Sequence, residues 1–172
     1  FTSFNAESGD LKWEQKIDAP LRCMATVVDG KAMIAGCDSK LHVYSLADGK
    51  EVGAIDIDGP TGSTPAAREG KIYFGTEEGT FYAIDTTTDP MTVVWTVSDE
   101  RRRQGIRTAA AVNDKVAVFG SQGKAAYGID LNSGEKVWDF PTRTRVESSP
   151  LIAGGMAIVA TQRGRLSMVD LK

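Results

Sequence analysis

Apolar and polar residues alternate with a period of two through most of the chain, in short runs broken by glycine-containing turns. Residues 71–76 (KIYFGT) and 80–86 (TFYAIDT) are typical: β-branched and aromatic side chains every second place, with Glu77-Glu78-Gly79 between them. Such alternation predicts strands joined by tight turns. In the same unit, residues 63–68 (STPAAR) predict a first strand and 93–97 (VVWTV) an outermost fourth. The order recurs in 23–28, 31–36 and 40–46, and again in 148–153, 156–161 and 165–171. The nearest approach to a helix, residues 98–104 (SDERRRQ), has no apolar face to bury.

The strand pattern repeats. Taking the residue that ends one apolar strand as an anchor gives Asn5, Ser45, Asp85, Asp130 and Asp170, spaced 40, 40, 45 and 40 residues apart. Ten residues before the last four anchors stand Ala35, Gly75, Gly120 and Ala160, and shortly after the first four come Trp13, Gly53, Trp95 and Trp138. Strand-rich repeats of about forty residues predict an all-β fold, a β-propeller of about four four-stranded antiparallel blades. The units run approximately over 1–21, 22–57, 63–97, 107–140 and 147–172. Ser, Thr, Ala and Pro in each first strand suit the crowded hub. Trp13, Trp95 and Trp138 are expected to dock one blade on the next, because a buried indole removes about 150–250 Å² from water.

Composition narrows the function. With 172 residues and a formal charge of -3, and a pI near 5.2, the chain is not expected to bind nucleic acid generally. No apolar run reaches the ~20 residues that span a bilayer. The sequence starts at Phe1, within a strand pattern, without an initiator Met or a signal peptide, as expected of a processed protein or an excised segment. Cys23 and Cys37 read either as two small half-buried residues or as a disulfide that needs a bulge, since the turn at Asp29-Gly30 sets Cys23 opposite Gly36.

Residues 5–13 (NAESGDLKW) and 130–138 (DLNSGEKVW) resemble the A-x-D-x-x-T-G-x-x-x-W signature of the quinoprotein, or PQQ-like, propeller repeat. The likeness extends through Ser148-Ser149-Pro150-Leu151 and Tyr82-Ala83-Ile84-Asp85, so it covers essentially the whole chain. WD40 repeats are a poorer match, because here Trp follows the turn glycine. Gly53 replaces the expected Trp in one unit, and Asp89-Pro90 replaces Ser-Gly in another. The resemblance, shared by the outer-membrane assembly lipoprotein propeller and by quinoprotein dehydrogenases, implies a ring of seven or eight blades. This chain is then part of such a ring, or half of one that pairs with a copy of itself. A bacterial, periplasmic or extracellular setting is implied in the same way.

Candidate chemistry is sparse. His42, the single histidine, alternates with Leu41 and Val43 and is expected to face solvent on its strand. The hub hydroxyls follow from the repeat and are not read as nucleophiles. PQQ and calcium, implied by the dehydrogenase branch, are not expected, for want of an adjacent cysteine pair and of calcium-loop spacing. The best candidates for ligand binding are arginines in the links between blades: Arg22, Arg101, Arg102, Arg103, Arg107, Arg143 and Arg145. Guanidinium groups gathered around a propeller mouth suit an anionic ligand or an acidic partner; the competing reading is a solvated loop. The expected function is a non-catalytic scaffold for protein, peptide or glycan binding or assembly, self-associating into a complete ring. The alternative is a segment of a quinoprotein dehydrogenase.

Overall fold

Asp29 and Gly30 hold φ of 49° and 70°, and Glu69 and Gly70 hold 48° and 72°. Two consecutive left-handed residues make the hairpin turn whose twist matches its strands. Val28 therefore pairs with Lys31, and Arg68 with Lys71. The computed structural model describes residues 1–98 and 103–171, and in them the hairpins build five antiparallel sheets. The first has two strands, β1 (Thr2–Phe4) and β2 (Leu11–Glu14). The next three have four each: β3 (Thr26–Val28), β4 (Lys31–Ala35), β5 (Lys40–Ser45) and β6 (Glu51–Asp56); β7 (Ala66–Arg68), β8 (Lys71–Gly75), β9 (Thr80–Asp85) and β10 (Thr92–Ser98); β11 (Ala111–Val112), β12 (Val116–Ser121), β13 (Ala125–Asp130) and β14 (Lys136–Pro141). The fifth has three: β15 (Leu151–Ala153), β16 (Met156–Ala160) and β17 (Leu166–Asp170).

Within every sheet the strands follow chain order, and the first strands β3, β7, β11 and β15 neighbour one another in succession. They form the hub of a propeller arc. The four-stranded unit is complete three times, with two strands before it and three after. The hub strands are shorter than alternation predicts, because their hydroxyls bond sideways to adjacent sheets. Ser63 Oγ donates to the Thr108 carbonyl at 2.8 Å, and Thr64 Oγ1 and Ser149 Oγ accept the amides of Met24 and Ala109 at 3.1 and 3.0 Å.

Apolar cores fill the seams. Met33, Leu41 and Val43 meet Ile72, Phe74 and Ile84 across one seam. Tyr73 and Phe81 meet Phe119, Tyr127 and Ile129 across the next, where the Phe81 and Phe119 rings stack at 4.1 Å. Val116 and Val118 meet Ala157, with Ile152 and Val169 beside them, across the last. Gly75 and Gly120 are small for a reason: a Cβ there would lie 2.2 Å from Ile106 and 2.1 Å from Val146, residues of the incoming links.

Candidate functional site: the link rim

The links between sheets are stitched to one end of the arc by a repeated main-chain bond. The carbonyls of Pro20, Pro60, Gly105 and Arg145 accept the amides of Cys37, Glu77, Gln122 and Gln162 at 3.2, 2.8, 3.0 and 3.1 Å. Each donor sits in the turn after the second strand of a sheet, so links and turns share one rim. Two residues beyond each link carbonyl come Arg22, Gly62, Arg107 and Glu147. Two of these face the turn of the preceding sheet: Arg107 Nε donates to both oxygens of Glu77 at 2.8 and 3.0 Å, and Gln122 Nε2 donates to Glu147 Oε1 at 3.3 Å.

This geometry divides the candidate arginines. Arg107 is neutralised by Glu77, a charge-assisted contact that strengthens its hold on the proton. Arg22, Arg103, Arg143 and Arg145 are exposed and make no ion pair with another described residue. Arg101 and Arg102 lie outside the described residues. The alternating pattern gave no sign of Glu77 and Glu147 as rim partners; the available signal was that Glu77 shares its repeat position with Gln122, and Glu147 shares its own with Arg107.

His42 corrects the expectation of a solvent-facing residue. It is 8% exposed, with Nδ1 at 2.6 Å from Glu51 Oε1 and Nε2 at 2.8 Å from Asp38 Oδ2, and its ring stacks on Tyr44. Its strand is covered on both faces, so neighbouring carboxylates satisfy the ring nitrogens in place of water. Cys23 and Cys37 are free thiols; Cys23 Sγ donates to the Ala35 carbonyl at 3.2 Å, and burial pushes its pKa up, away from the reactive thiolate.

The indoles occupy a second repeated environment. Trp13 Nε1 donates to the Leu46 carbonyl at 3.0 Å and Trp95 Nε1 to the Leu131 carbonyl at 3.1 Å, each in the next sheet. Gly49 and Gly134, with φ of 72°, press against these two rings; a Cβ on either would come within 2.6 Å. Where Gly53 replaces Trp, Met91 of the following sheet closes to 3.2 Å of the position a Cβ would take. Trp138 packs against Gly128 of its own sheet, and its buried Nε1 makes no hydrogen bond among the described residues.

The sequence matches the family of the outer membrane protein assembly factor BamB over residues 2–141 and, in an overlapping match, 88–172. The chain belongs to this family of PQQ-like repeat β-propellers. No curated protein matches the sequence. Among solved structures, the computationally designed Ika4 protein aligns at a TM-score of 0.79 and 13% identity, over 92% of this chain and 95% of its own. BamB from Moraxella catarrhalis aligns at 0.78 and 15% identity over 95% of this chain and 54% of its own. The computationally designed Ika8 protein aligns at 0.82 and 14% identity over 97% and 51%. The chain thus spans about half the length of the last two. At these identities the likeness shows the shared propeller fold.

The family fold raises the question of a quinone and calcium. Among the described residues no three His, Cys, Asp or Glu side chains gather into a group that would hold a metal ion. The cleft lined by Val97, Gln104, Ile106, Phe119, Tyr127 and Lys136 has a volume of about 110 Å³. That is below the ~300 Å³ of ordinary ligand pockets. No described helix is long and apolar enough to cross a membrane.

Proposed function

We propose that the chain is a non-catalytic propeller scaffold whose link rim recruits an acidic protein or peptide segment and which also assembles with a second copy of itself. One observation carries the rim reading: the repeated carbonyl bond sets the exposed Arg22 and Arg145 on the same rim as Arg107, while Glu77 neutralises Arg107 alone. Guanidiniums without an ion pair among the described residues, held on a stiff β framework, suit carboxylate recognition. A bacterial periplasmic or extracellular setting goes with this reading and is supported by the family's outer-membrane description.

A fluorescein-labelled deca-glutamate peptide tests the rim. It should bind at low ionic strength and weaken as salt screens the contact. The combined variant Arg22→Ser, Arg103→Ser, Arg145→Ser should keep its melting temperature and lose about tenfold or more in affinity, as expected for about 1.4 kcal/mol or more of lost charge pairing. Equal anisotropy curves for the two proteins would sink the rim reading. Dye reduction after incubation with PQQ and calcium would sink the non-catalytic one.

A further inference from the structure

We infer that a second copy of this chain completes the fifth sheet, its β1–β2 hairpin entering in place of β17. The inference rests on the self-association in the reading above and does not need the rim to bind an acidic segment. It starts from two parts of the repeated clamp that stand apart from each other. Gly9 has φ of 75° and closes its turn through its amide to the Asn5 carbonyl at 2.9 Å, as Gly49 does to Ser45 at 2.9 Å and Gly134 to Asp130 at 3.0 Å. Gly49 and Gly134 each carry an indole, whereas a Cβ at Gly9 would meet nothing within 4 Å. Trp138 is the converse, a buried indole N–H with no carbonyl among the described residues. By repeat position, Leu171 and, in a second copy, Ala6 are equivalent to Leu46 and Leu131, whose carbonyls accept the other two indoles; Leu171 packs in the same cluster as Trp138 yet does not take its N–H.

The register agrees. Phe4 pairs with Leu11 after a bulge at Ser3/Phe4, as Tyr44 pairs with Glu51 after a bulge at Val43/Tyr44 and Ile129 with Lys136 after one at Gly128/Ile129. The β1–β2 hairpin is therefore the third and fourth strands of a blade. The fifth sheet contains the first three, so β1 and β17 compete for one position. Phe4 is 58% exposed and Leu11 56%, while the equivalent Tyr44, Ile84 and Ile129 are at 4%, 0% and 0%. Entering at the position of β17 would seat Phe4 where Val169 lies, against Val116 and Val118. On the rim, Gln162 would then face Arg22 of the second copy, as Glu77 faces Arg107. Two such junctions related by a two-fold axis close a ring, consistent with the alignment of this chain on about half of a longer propeller.

Sedimentation and hydrogen exchange on the full chain test this. The particle should pass from 18.4 kDa to twice that mass as concentration rises. In the paired form the β17 amides should exchange faster than in the single chain, and the Trp138 indole proton should become protected. Phe4→Asp, at an exposed position, should leave the single chain's melting temperature unchanged and abolish pairing. Gln162→Glu should tighten pairing about two- to fivefold at low salt, the range of a single surface ion pair, with the gain erased by Arg22→Ser. A single-chain mass at every concentration overturns the inference, as do pairing that survives Phe4→Asp and pairing that leaves β17 protected. Binding of deca-glutamate by the unpaired Phe4→Asp variant would still be expected, which separates the two readings.

Discussion

Asn5 and Asp130 close the same turn with different chemistry. Asn5 Oδ1 accepts the amides of Glu7 and Ser8 at 2.9 and 3.3 Å, and Asp130 Oδ1 accepts those of Asn132 and Ser133 at 2.9 Å each. The amide donors hold the Asp130 carboxyl below the usual carboxylate range. A folded pKa below the unfolded one gives stability that is full above the ordinary carboxylate pKa and is lost as pH falls through the folded value. Asp130→Asn should therefore keep the turn at neutral pH and flatten the acid limb of the melting-temperature profile. Asp130→Ala should lower the melting temperature at neutral pH as well, because two amides lose their acceptor. An acid limb that is as steep in Asp130→Asn as in the parent would show that other carboxylates govern it. His42 marks the limit of sequence at this scale: alternation placed it on a strand, but its carboxylate partners come from a turn and from the adjacent strand.

Strands and turns were legible because hairpin glycines and period-two alternation act locally. Alternation extends the hub strand over residues 63–68, whereas β7 spans only Ala66–Arg68, since Ser63 and Thr64 direct their hydroxyls to adjacent sheets, a contact no local pattern records. The substitution of Met91 for an indole opposite Gly53 was illegible for the same reason. At this scale the clamp gives two predictions. Trp95→Ala, which strips the ring from between Tyr73 and Phe81, should cost about 3–5 kcal/mol in urea unfolding. Gly134→Ala meets both a left-handed backbone and the Trp95 ring at 2.6 Å, whereas Gly155→Ala, with φ of 77° and open space around it, bears only the backbone cost of about 1–2 kcal/mol. Equal destabilisation by the two glycine variants would mean that the ring yields freely.

For the whole molecule, a stride of about forty residues was enough to read the propeller, because each repeat must bury its faces on its neighbours. The site was less legible: the arginines could be placed in links, but the pairing of Arg107 with Glu77 depends on which turn each link is stitched to. The cores lie in seams shared by two adjacent sheets, from Met33 with Ile72, through Phe81 with Phe119, to Val118 with Ala157. Such an arrangement has no single centre whose loss unfolds everything at once. Opening should begin at the tips, so backbone protons in β8, β9, β12 and β13 should outlast those in β1, β2, β16 and β17 by an amount that shrinks as the tips find cover.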